Sequence, residues 1–196
     1  MPKRNRNGQA STLSLLEVEK IYQAFNSDRD KVIWMILCGT GERIAAVLSL
    51  NVTDVYRNTQ KSQIWDEITF PSSIRKARPD GSKETRQVPI TRKLRVELEK
   101  FKPPLHGLMF PSPQKPGQSI ARQTYDELFR RALVQCGLDR KGISLHSPRR
   151  TLATRLAAEG VPINVIQKIT GHRSISVLQR YIDVSDEQVK SALEML

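Results

Sequence analysis

The stretch "HSPRRTLATRLAAEGVPINVIQKITGH", residues 146–172, decides the fold because it holds two consecutive helices and the turns that bound them. Ser147 as N-cap and Pro148 at the first helical position predict where the first helix begins, and Gly160 predicts its end. The second helix, "PINVIQKIT", should end at Gly171. The pattern predicts a helical body in which polar side chains stand at the helix ends.

Helical patterns continue on the N-terminal side of this stretch. Ser14 and Glu17 have capping-box spacing ahead of "LEVEKIYQAF", which predicts a first helix. "DKVIWMILCGTG" is apolar on nearly every side until the glycines that end it, so it predicts a buried helix. Arg43 then falls in the first turn of a short helix. Two further helices are predicted in "TRKLRVELEKF" and "SIARQTYDELFRRALVQCG".

Strand-like segments occupy residues 52–90, where "VTDVY", "IWDEITF", "SSIRKA" and "KETRQVPI" lie around the turn signal "RPDGS". They predict a small antiparallel three-stranded sheet whose best-defined hairpin joins residues 72–77 to residues 83–90. The sequence therefore predicts an α+β fold that is mainly α-helical.

Three parts of the chain are expected. Residues 1–12 form a basic flexible arm, residues 13–184 form one domain, and residues 185–196 form an amphipathic C-terminal helix. That helix has to bury its apolar stripe, either on its own domain or on a neighbouring protomer. The stripe consists of Val189, Ala192, Leu193 and Leu196.

The composition favours a polyanionic partner, because 32 Lys and Arg face 20 Asp and Glu, a formal charge of +12. Solubilising surface charge is the alternative. Cys38 and Cys136 have neither pairing nor metal-ligand spacing, which favours buried thiols in a reducing interior. No apolar run approaches the about 18 residues of a membrane span, so we expect a cytoplasmic protein.

Several cationic and ionisable residues stand at helix ends and turns. His146 and Arg149 lie at the mouth of a helix, where unpaired amide groups favour an anion. Arg43 follows a glycine turn, and Lys76 and Lys83 flank the hairpin turn. Taken singly, each pattern is also typical of a solvated surface.

His172 and Tyr181 are nine residues apart, which is about 13 Å along a straight helix and too far to reach one small group. A break at residues 171–174, where Gly171 ends one helix and Ser174 can cap the next, would let them converge. Tyr181 lies at the edge of an apolar stripe, so the pattern allows a core position or a cleft position.

The order of these residues along the chain resembles that in the catalytic domain of the tyrosine recombinases, the phage integrase family. The order is Arg43, a hairpin lysine, His146 with Arg149, and His172 nine residues before Tyr181. The resemblance runs from about Leu13 through the terminal helix. The segments that carry it are "TGERIAAVLSLNVTDV", "TRQVPI", "HSPRRTLATRLAAEGVPINVIQKITGH" and the His-to-Tyr interval.

The resemblance implies a role for each catalytic candidate. Tyr181 would be the nucleophile that attacks a DNA phosphate, and Arg43 and Arg149 would clamp its non-bridging oxygens. Lys76 would protonate the leaving 5′-oxygen, with Lys83 as the alternative. His146 would handle the tyrosine proton or orient the phosphate, and His172 would donate a hydrogen bond to it.

The resemblance also implies DNA-contacting residues, for which the candidates are Lys83, Arg86, Arg150 and Arg173. Two positions depart from the family pattern: Ala46 stands where the family often has Glu, and Arg150 stands where a His often follows the second arginine.

The implied function is a site-specific DNA recombinase of the integrase, excisionase or invertase type that forms a 3′-phosphotyrosyl intermediate without metal, ATP or other cofactor. The implied partners are double-stranded DNA and further copies of the chain, expected as a tetramer on DNA through the C-terminal helix, in a prokaryotic or phage-like setting. Alone, the chain should bind DNA weakly and with strong salt dependence. The alternatives are a type IB topoisomerase-like nicking and resealing enzyme and a catalytically silent DNA-binding regulator.

Overall fold

The computed structural model describes residues 10–77, 81–172, 174–179 and 193–194. Within these ranges the chain forms eight α-helices and two small antiparallel β-ladders. The helices are α1 Leu15–Ala24, α2 Asp28–Thr40, α3 Ile44–Leu48, α4 Arg92–Lys100, α5 Arg122–Gln135, α6 Ser147–Ala158, α7 Ile163–Thr170 and α8 Ile175–Gln179. The mainly helical α+β class expected from the sequence is confirmed.

Helix α2 is the centre of the core, as its apolar sequence predicts. It packs against α1, α3, α4 and α6, and its run from Val32 to Leu37 is buried. Trp34 packs against Phe129 of α5 with ring centroids 5.5 Å apart, which buries large apolar area. Because α2 is fixed on four sides, the turn at its C-terminus is held in a defined position.

The predicted capping box at the start of α1 is confirmed. The Ser14 hydroxyl accepts a hydrogen bond from the Glu17 N–H at 3.1 Å, and the Glu17 carboxylate accepts one from the Ser14 N–H at 2.8 Å. Two backbone N–H groups at the start of the helix, which have no partner within it, thus donate hydrogen bonds to side chains three residues apart.

The strands differ from the prediction. In place of one three-stranded sheet, the described residues form two separate two-stranded ladders: β1 Tyr56–Asn58 with β2 Gln63–Ile64, and β3 Glu67–Phe70 with β4 Arg86–Pro89. The partner of β4 is β3, so the predicted hairpin arm at residues 72–77 is wrong.

Burial explains this pairing of β3 with β4. Ile68 and Phe70 alternate toward the core opposite Val88 and Arg86, which are also buried. Residues 72–74 follow a proline and form a 3₁₀ turn instead, which frees the chain after Ile74 to cross toward the end of α2. Residues 75–76 and 82–85 thereby contribute to one wall of a cleft.

Helix α6 begins one residue earlier than predicted. His146 is its N-cap, and Ser147 is the first helical residue. The Ser147 hydroxyl accepts a hydrogen bond from the Ser144 N–H at 3.0 Å, so it turns back toward the preceding loop and does not cap the helix. Gly160 follows the helix in the left-handed region with a φ of 73°, as its predicted role as the stop requires.

The two ends of the chain are described only in part. Of the basic arm, residues 1–9 lie outside the described residues, and Ser11 donates its backbone N–H to the Gly142 carbonyl at 3.1 Å. Of the predicted C-terminal helix, only Leu193 and Glu194 are described, and both are exposed. In the part of the chain that is described, no helix has the length and apolar character to cross a membrane.

Candidate active site

A cleft with a volume of about 830 Å³ opens between two segments of the β3–β4 hairpin, residues 75–76 and 82–87, and the end of α7. Its walls come from the α2–α3 turn, the segments on either side of residues 78–80, α7 and the turn after it. The lining residues are predominantly cationic or polar: Arg43, Arg75, Lys76, Ser82, Lys83, Glu84, Thr85, Arg86, Gln87, Asn164, Gln167, Lys168, Gly171, His172 and Ser174. Such a lining attracts an anion.

Arg43 reaches the cleft because of the turn that ends α2. Gly41 caps α2 in the left-handed region with a φ of 61°, and Arg43 is the N-cap of α3 with an extended backbone. Arg43 therefore precedes the first helical turn in which it was predicted. The side chain of the intervening residue, Glu42, is buried and accepts the Arg43 backbone N–H at 2.9 Å. The turn is thus fixed from inside the protein.

Both candidate lysines line the cleft. Lys76 follows the 3₁₀ turn that ends at Ile74, and Lys83 precedes β4; both side chains are exposed. Either lysine is therefore placed to donate a proton to a group in the cleft. Lys76 stays the predicted proton donor.

Arg149 lies directly behind the cleft wall. Its guanidinium donates to the carbonyls of Gly41, Thr170 and Gly171, and its Nε donates to His172 Nε2 at 3.2 Å. These bonds tie the C-terminal end of α2 to that of α7. The Arg149 charge therefore lies next to His172, which lines the cleft together with Arg43.

The hydrogen bonds of His172 define its tautomer. The Thr170 hydroxyl donates to the Ile166 carbonyl, so the Nδ1–H of His172 donates to Thr170 Oγ1 at 2.6 Å and Nε2 accepts from Arg149. Burial, followed by the charge of Arg149, lowers the pKa of His172 to about 3. The ring is therefore neutral at physiological pH. A hydrogen bond from His172 to a phosphate would first require Nε2 to gain a proton.

The predicted break between α7 and α8 is confirmed. Gly171 caps α7 with a φ of 65°, and the Ser174 hydroxyl accepts the Ser176 N–H at 3.1 Å, as an N-cap does. Arg173 and Tyr181 lie outside the described residues. The break redirects the chain immediately before the segment that carries the predicted nucleophile.

Besides Arg149, two predicted site residues among those described lie outside the cleft lining. His146 is exposed at the N-cap of α6, and it is not one of the described residues that line the cleft. Arg150 is half-buried and donates to the Ala10 carbonyl at 2.7 Å. Both assignments stay predictions. As for metal binding, the described ranges contain no group of three or more His, Cys, Asp or Glu side chains that could hold an ion.

Residues 12–188 match the family model described as "Phage integrase family". The chain belongs to the phage integrase family. The match includes the cleft, the α2–α3 turn and the interval from His172 to Tyr181. The family assignment made from the motifs is therefore confirmed.

Curated tyrosine recombinases are similar to this chain along most of its length. A tyrosine recombinase XerA of Pyrococcus horikoshii is 26% identical over 182 residues, which cover 91% of this chain and 58% of that protein. A tyrosine recombinase XerD of Corynebacterium glutamicum is 29% identical over 192 residues, with 91% of this chain and 59% of that protein covered. The chain thus spans less than two thirds of the length of these relatives.

Solved structures of a recombinase and of two integrases share the fold. The crystal structure of XerA recombinase aligns with a TM-score of 0.69 at 21% identity over 97% of this chain and 66% of that one. The catalytic domain of bacteriophage HP1 integrase aligns with a TM-score of 0.65 at 22% identity over 95% of both chains. A Tn1549 transposon integrase in complex with a circular intermediate DNA aligns with a TM-score of 0.70 at 18% identity, over 97% of this chain and 67% of that one.

A buried ionic cluster that the sequence patterns do not predict lies beside the site of this phage integrase family protein. Arg86, predicted as a DNA contact, is 7% exposed, and its Nη1 donates to Glu42 at 2.8 Å. Arg75 donates its Nε to the same carboxylate at 3.2 Å. Arg75 lies outside the segments that carry the family resemblance, and Glu42 is not one of the site residues that the resemblance implies. No local pattern pairs residues this far apart.

Proposed function

We propose that this phage integrase family protein acts as a site-specific DNA recombinase that cuts and rejoins DNA through a 3′-phosphotyrosyl intermediate. The single observation that carries the proposal is the cleft, which is lined by Arg43, His172, Lys76 and Lys83, with Arg149 hydrogen-bonded to His172. The names of the relatives, tyrosine recombinases XerA and XerD, support the same reaction.

In the proposed reaction, the Tyr181 oxygen attacks the phosphorus of a DNA phosphodiester. A bond forms between that oxygen and phosphorus while the bond to the 5′-oxygen breaks. A phenol with a pKa of about 10 suits both directions, because its anion is a capable nucleophile and a good leaving group. One phosphate ester replaces another, so no ATP is needed.

Cations in and behind the cleft would stabilise the charge that builds on the non-bridging oxygens. Arg43 lines the cleft and stays charged throughout, as a guanidinium does. Arg149 would add its charge from behind His172 and orient that ring. This electrostatic role is the one a metal ion plays in other phosphoryl transferases, and we propose that the reaction proceeds without one.

Two proton transfers complete the proposed cycle. The departing 5′-oxygen takes a proton from Lys76 or Lys83, both of which are exposed in the cleft. The phenol of Tyr181 loses its proton, for which His146 is the candidate acceptor. Rejoining reverses both transfers when a 5′-hydroxyl attacks the phosphotyrosine.

The proposed partner is double-stranded DNA, as supported by the net charge of +12 and by the Tn1549 integrase, which was solved with circular intermediate DNA. We further propose assembly of several copies on DNA through residues 185–196, with a tetramer as the working unit, in a prokaryotic or phage-like setting. Sedimentation of the chain truncated after Ser185, with and without DNA, tests the assembly. Unchanged assembly of the truncated chain on DNA would contradict it.

The experiment that tests the reaction is covalent trapping on a pool of nicked duplexes whose central sequence is randomised. Cleavage near the nick releases a short fragment, so that religation fails and the protein–DNA adduct accumulates. We expect a denaturation-resistant adduct from the wild-type chain and none from Tyr181→Phe. Tyr22→Phe is the matched control, because Tyr22 is bonded to Glu97 away from the cleft.

Sequencing of the trapped DNA would identify the preferred site, and EDTA should leave the yield unchanged. The proposed function is refuted if the wild-type chain forms no adduct or if Tyr181→Phe retains it.

A further inference from the structure

Glu42 is a buried carboxylate whose arginine partners, Arg75 and Arg86, line the cleft. Its residue is 2% exposed, and its two oxygens accept hydrogen bonds from three donors. Oε1 accepts the Arg43 backbone N–H at 2.9 Å, and Oε2 accepts Arg86 Nη1 at 2.8 Å and Arg75 Nε at 3.2 Å. A carboxylate that is hydrogen-bonded to two guanidinium groups and a backbone N–H is held firmly in place.

The charge state of Glu42 matches this arrangement. Burial alone would raise its pKa, but the charge of Arg86, the Arg43 N–H and the charge of Arg75 together lower it. Glu42 is therefore ionised at neutral pH, and it compensates two arginines that are themselves largely buried.

Arg75 connects Glu42 to both lysine-bearing segments. It directly precedes Lys76, and its Nη1 donates to the carbonyl of Glu84, the residue that follows Lys83, at 2.8 Å. One guanidinium therefore joins the outgoing and the returning side of the hairpin connection and anchors both to the end of α2. Whichever lysine acts as the proton donor, its backbone is held by this bridge.

The same cluster contacts the turn that carries His172. A Cβ atom placed on Gly171 would lie 2.9 Å from Arg75 Nη2 and 3.1 Å from Arg86 Cδ, so both arginines pack directly on this glycine. The bridge from Glu42 through Arg75 is thus confined from the α7 side as well. Confinement of this kind is what a positioned acid requires, because a displacement of about 1 Å can cost a factor of about 100 in rate.

We propose that Glu42 is a positioning residue that, through Arg75, holds the lysine-bearing segments so that their ammonium group reaches the leaving 5′-oxygen. The inference rests on the proposed recombinase function, and it adds a residue outside the set of candidates that the motifs supply. Glu42 acts at one remove from the phosphate, so it is not a catalytic residue itself.

The test is single-turnover cleavage at saturating DNA on two nicked duplexes of the trapped sequence, one with the natural 5′-oxygen and one with sulfur in the bridging position. A thiolate leaves without a proton, so a defect in the delivery of the proton shows with oxygen and disappears with sulfur. We expect Glu42→Gln and Arg75→Gln to slow cleavage of the oxygen substrate about 100-fold, at the low end of what a general acid contributes. Both should cleave the sulfur substrate close to the wild-type rate.

Two variants are needed because Glu42→Gln also removes the carboxylate partner of the buried Arg86 and lowers stability. Arg75→Gln leaves the Glu42–Arg86 pair in place and changes a side chain nearer the surface. Asp54→Asn is the matched control: Asp54 also accepts a backbone N–H, that of Asn51 at 2.8 Å, in a turn that does not line the cleft. It should cleave both substrates at the wild-type rate.

The double variant Glu42→Gln/Arg75→Gln should be no slower than the slower single variant, because the two residues act as one bridge. Wild-type rates on the oxygen substrate for both single variants, or equal losses on oxygen and sulfur, would overturn the positioning role. Absence of an adduct from the wild-type chain would instead overturn the proposed function, and the positioning role with it.

Discussion

Gly171 ends α7, and its replacement by alanine should cost much more stability than the same change at Gly160. Both glycines follow a helix in the left-handed region, with φ of 65° at Gly171 and 73° at Gly160. They differ in their surroundings. A Cβ at Gly160 would meet nothing within 4 Å, whereas one at Gly171 would meet Arg75 Nη2 at 2.9 Å and Arg86 Cδ at 3.1 Å.

The magnitude follows from two contributions. An L-residue in the left-handed region costs about 1–2 kcal/mol, and the loss of glycine's freedom in the unfolded chain returns about 0.4–1 kcal/mol. Gly160→Ala should therefore lower the free energy of unfolding by about 1 kcal/mol. Gly171→Ala adds overpacking of about 1–3 kcal/mol, because Arg75 and Arg86 are both bonded to Glu42 and cannot move aside freely. Its total loss should be about 2–4 kcal/mol.

Urea unfolding followed by tryptophan fluorescence measures both losses, since Trp34 is fully buried in the core and reports on its opening. Equal denaturant slopes for the wild-type chain and the two variants would establish that the midpoints compare stability. If Gly171→Ala and Gly160→Ala lose the same free energy, the argument that the arginine cluster is rigid against Gly171 fails.

Three further outcomes are expected. Because the folded-state pKa of His172, about 3, lies below its unfolded value of about 6.5, the stabilisation by neutral His172 is complete above pH 6.5 and is lost as pH falls toward 3. Urea unfolding at pH 6.5 and pH 5 should therefore show a fall that is about 1–2 kcal/mol smaller in His172→Gln than in the wild-type chain, and an equal fall would contradict the buried neutral ring. Lys83→Gln should reduce the slope of log K for DNA against log salt by about 1, as seen by fluorescence anisotropy, whereas Lys100→Gln on α4, whose side chain does not line the cleft, should leave it unchanged. Arg149→Lys keeps the charge but cannot span three carbonyls, so thermal and urea unfolding should show a loss of about 2–4 kcal/mol; wild-type stability would mean that those bonds contribute little.

The helices were predictable because their signals are local. The capping box of Ser14 and Glu17 and the left-handed glycines at residues 41 and 171 lie within a few residues of the helix ends that they define. Where a helix began one residue early, at Ser147, the cause was a competing bond from the Ser144 N–H. A serine hydroxyl can accept a hydrogen bond either from an amide group of the following helix or from one of the preceding loop, and the sequence does not decide between the two.

The β-ladders were less predictable because their pairing is non-local. The segment at residues 72–77 has strand-like composition and flanks a turn signal, yet β4 pairs with residues 67–70, whose alternating Ile68 and Phe70 enter the core. Register follows burial, and burial depends on what lies beneath the sheet.

The candidate site divides in the same way. The order of Arg43, the lysines and His172 along the chain allowed the cleft to be anticipated through the family resemblance. The Glu42 cluster joins residues 33 and 44 positions apart, and only the fold brings them together. From the sequence alone, a glutamate next to a glycine turn is predicted to lie at the surface. Its burial becomes evident only when the arginines that surround it are located in the fold.

Arg149 binds the carbonyls of Gly41, Thr170 and Gly171, at the C-terminal ends of two helices where the dipoles favour a cation. A related sequence that lost catalysis but kept the fold would still need a side chain that spans these three carbonyls. Inactive paralogues should therefore retain Arg149, so that conservation of this arginine marks the fold and does not by itself mark the enzyme.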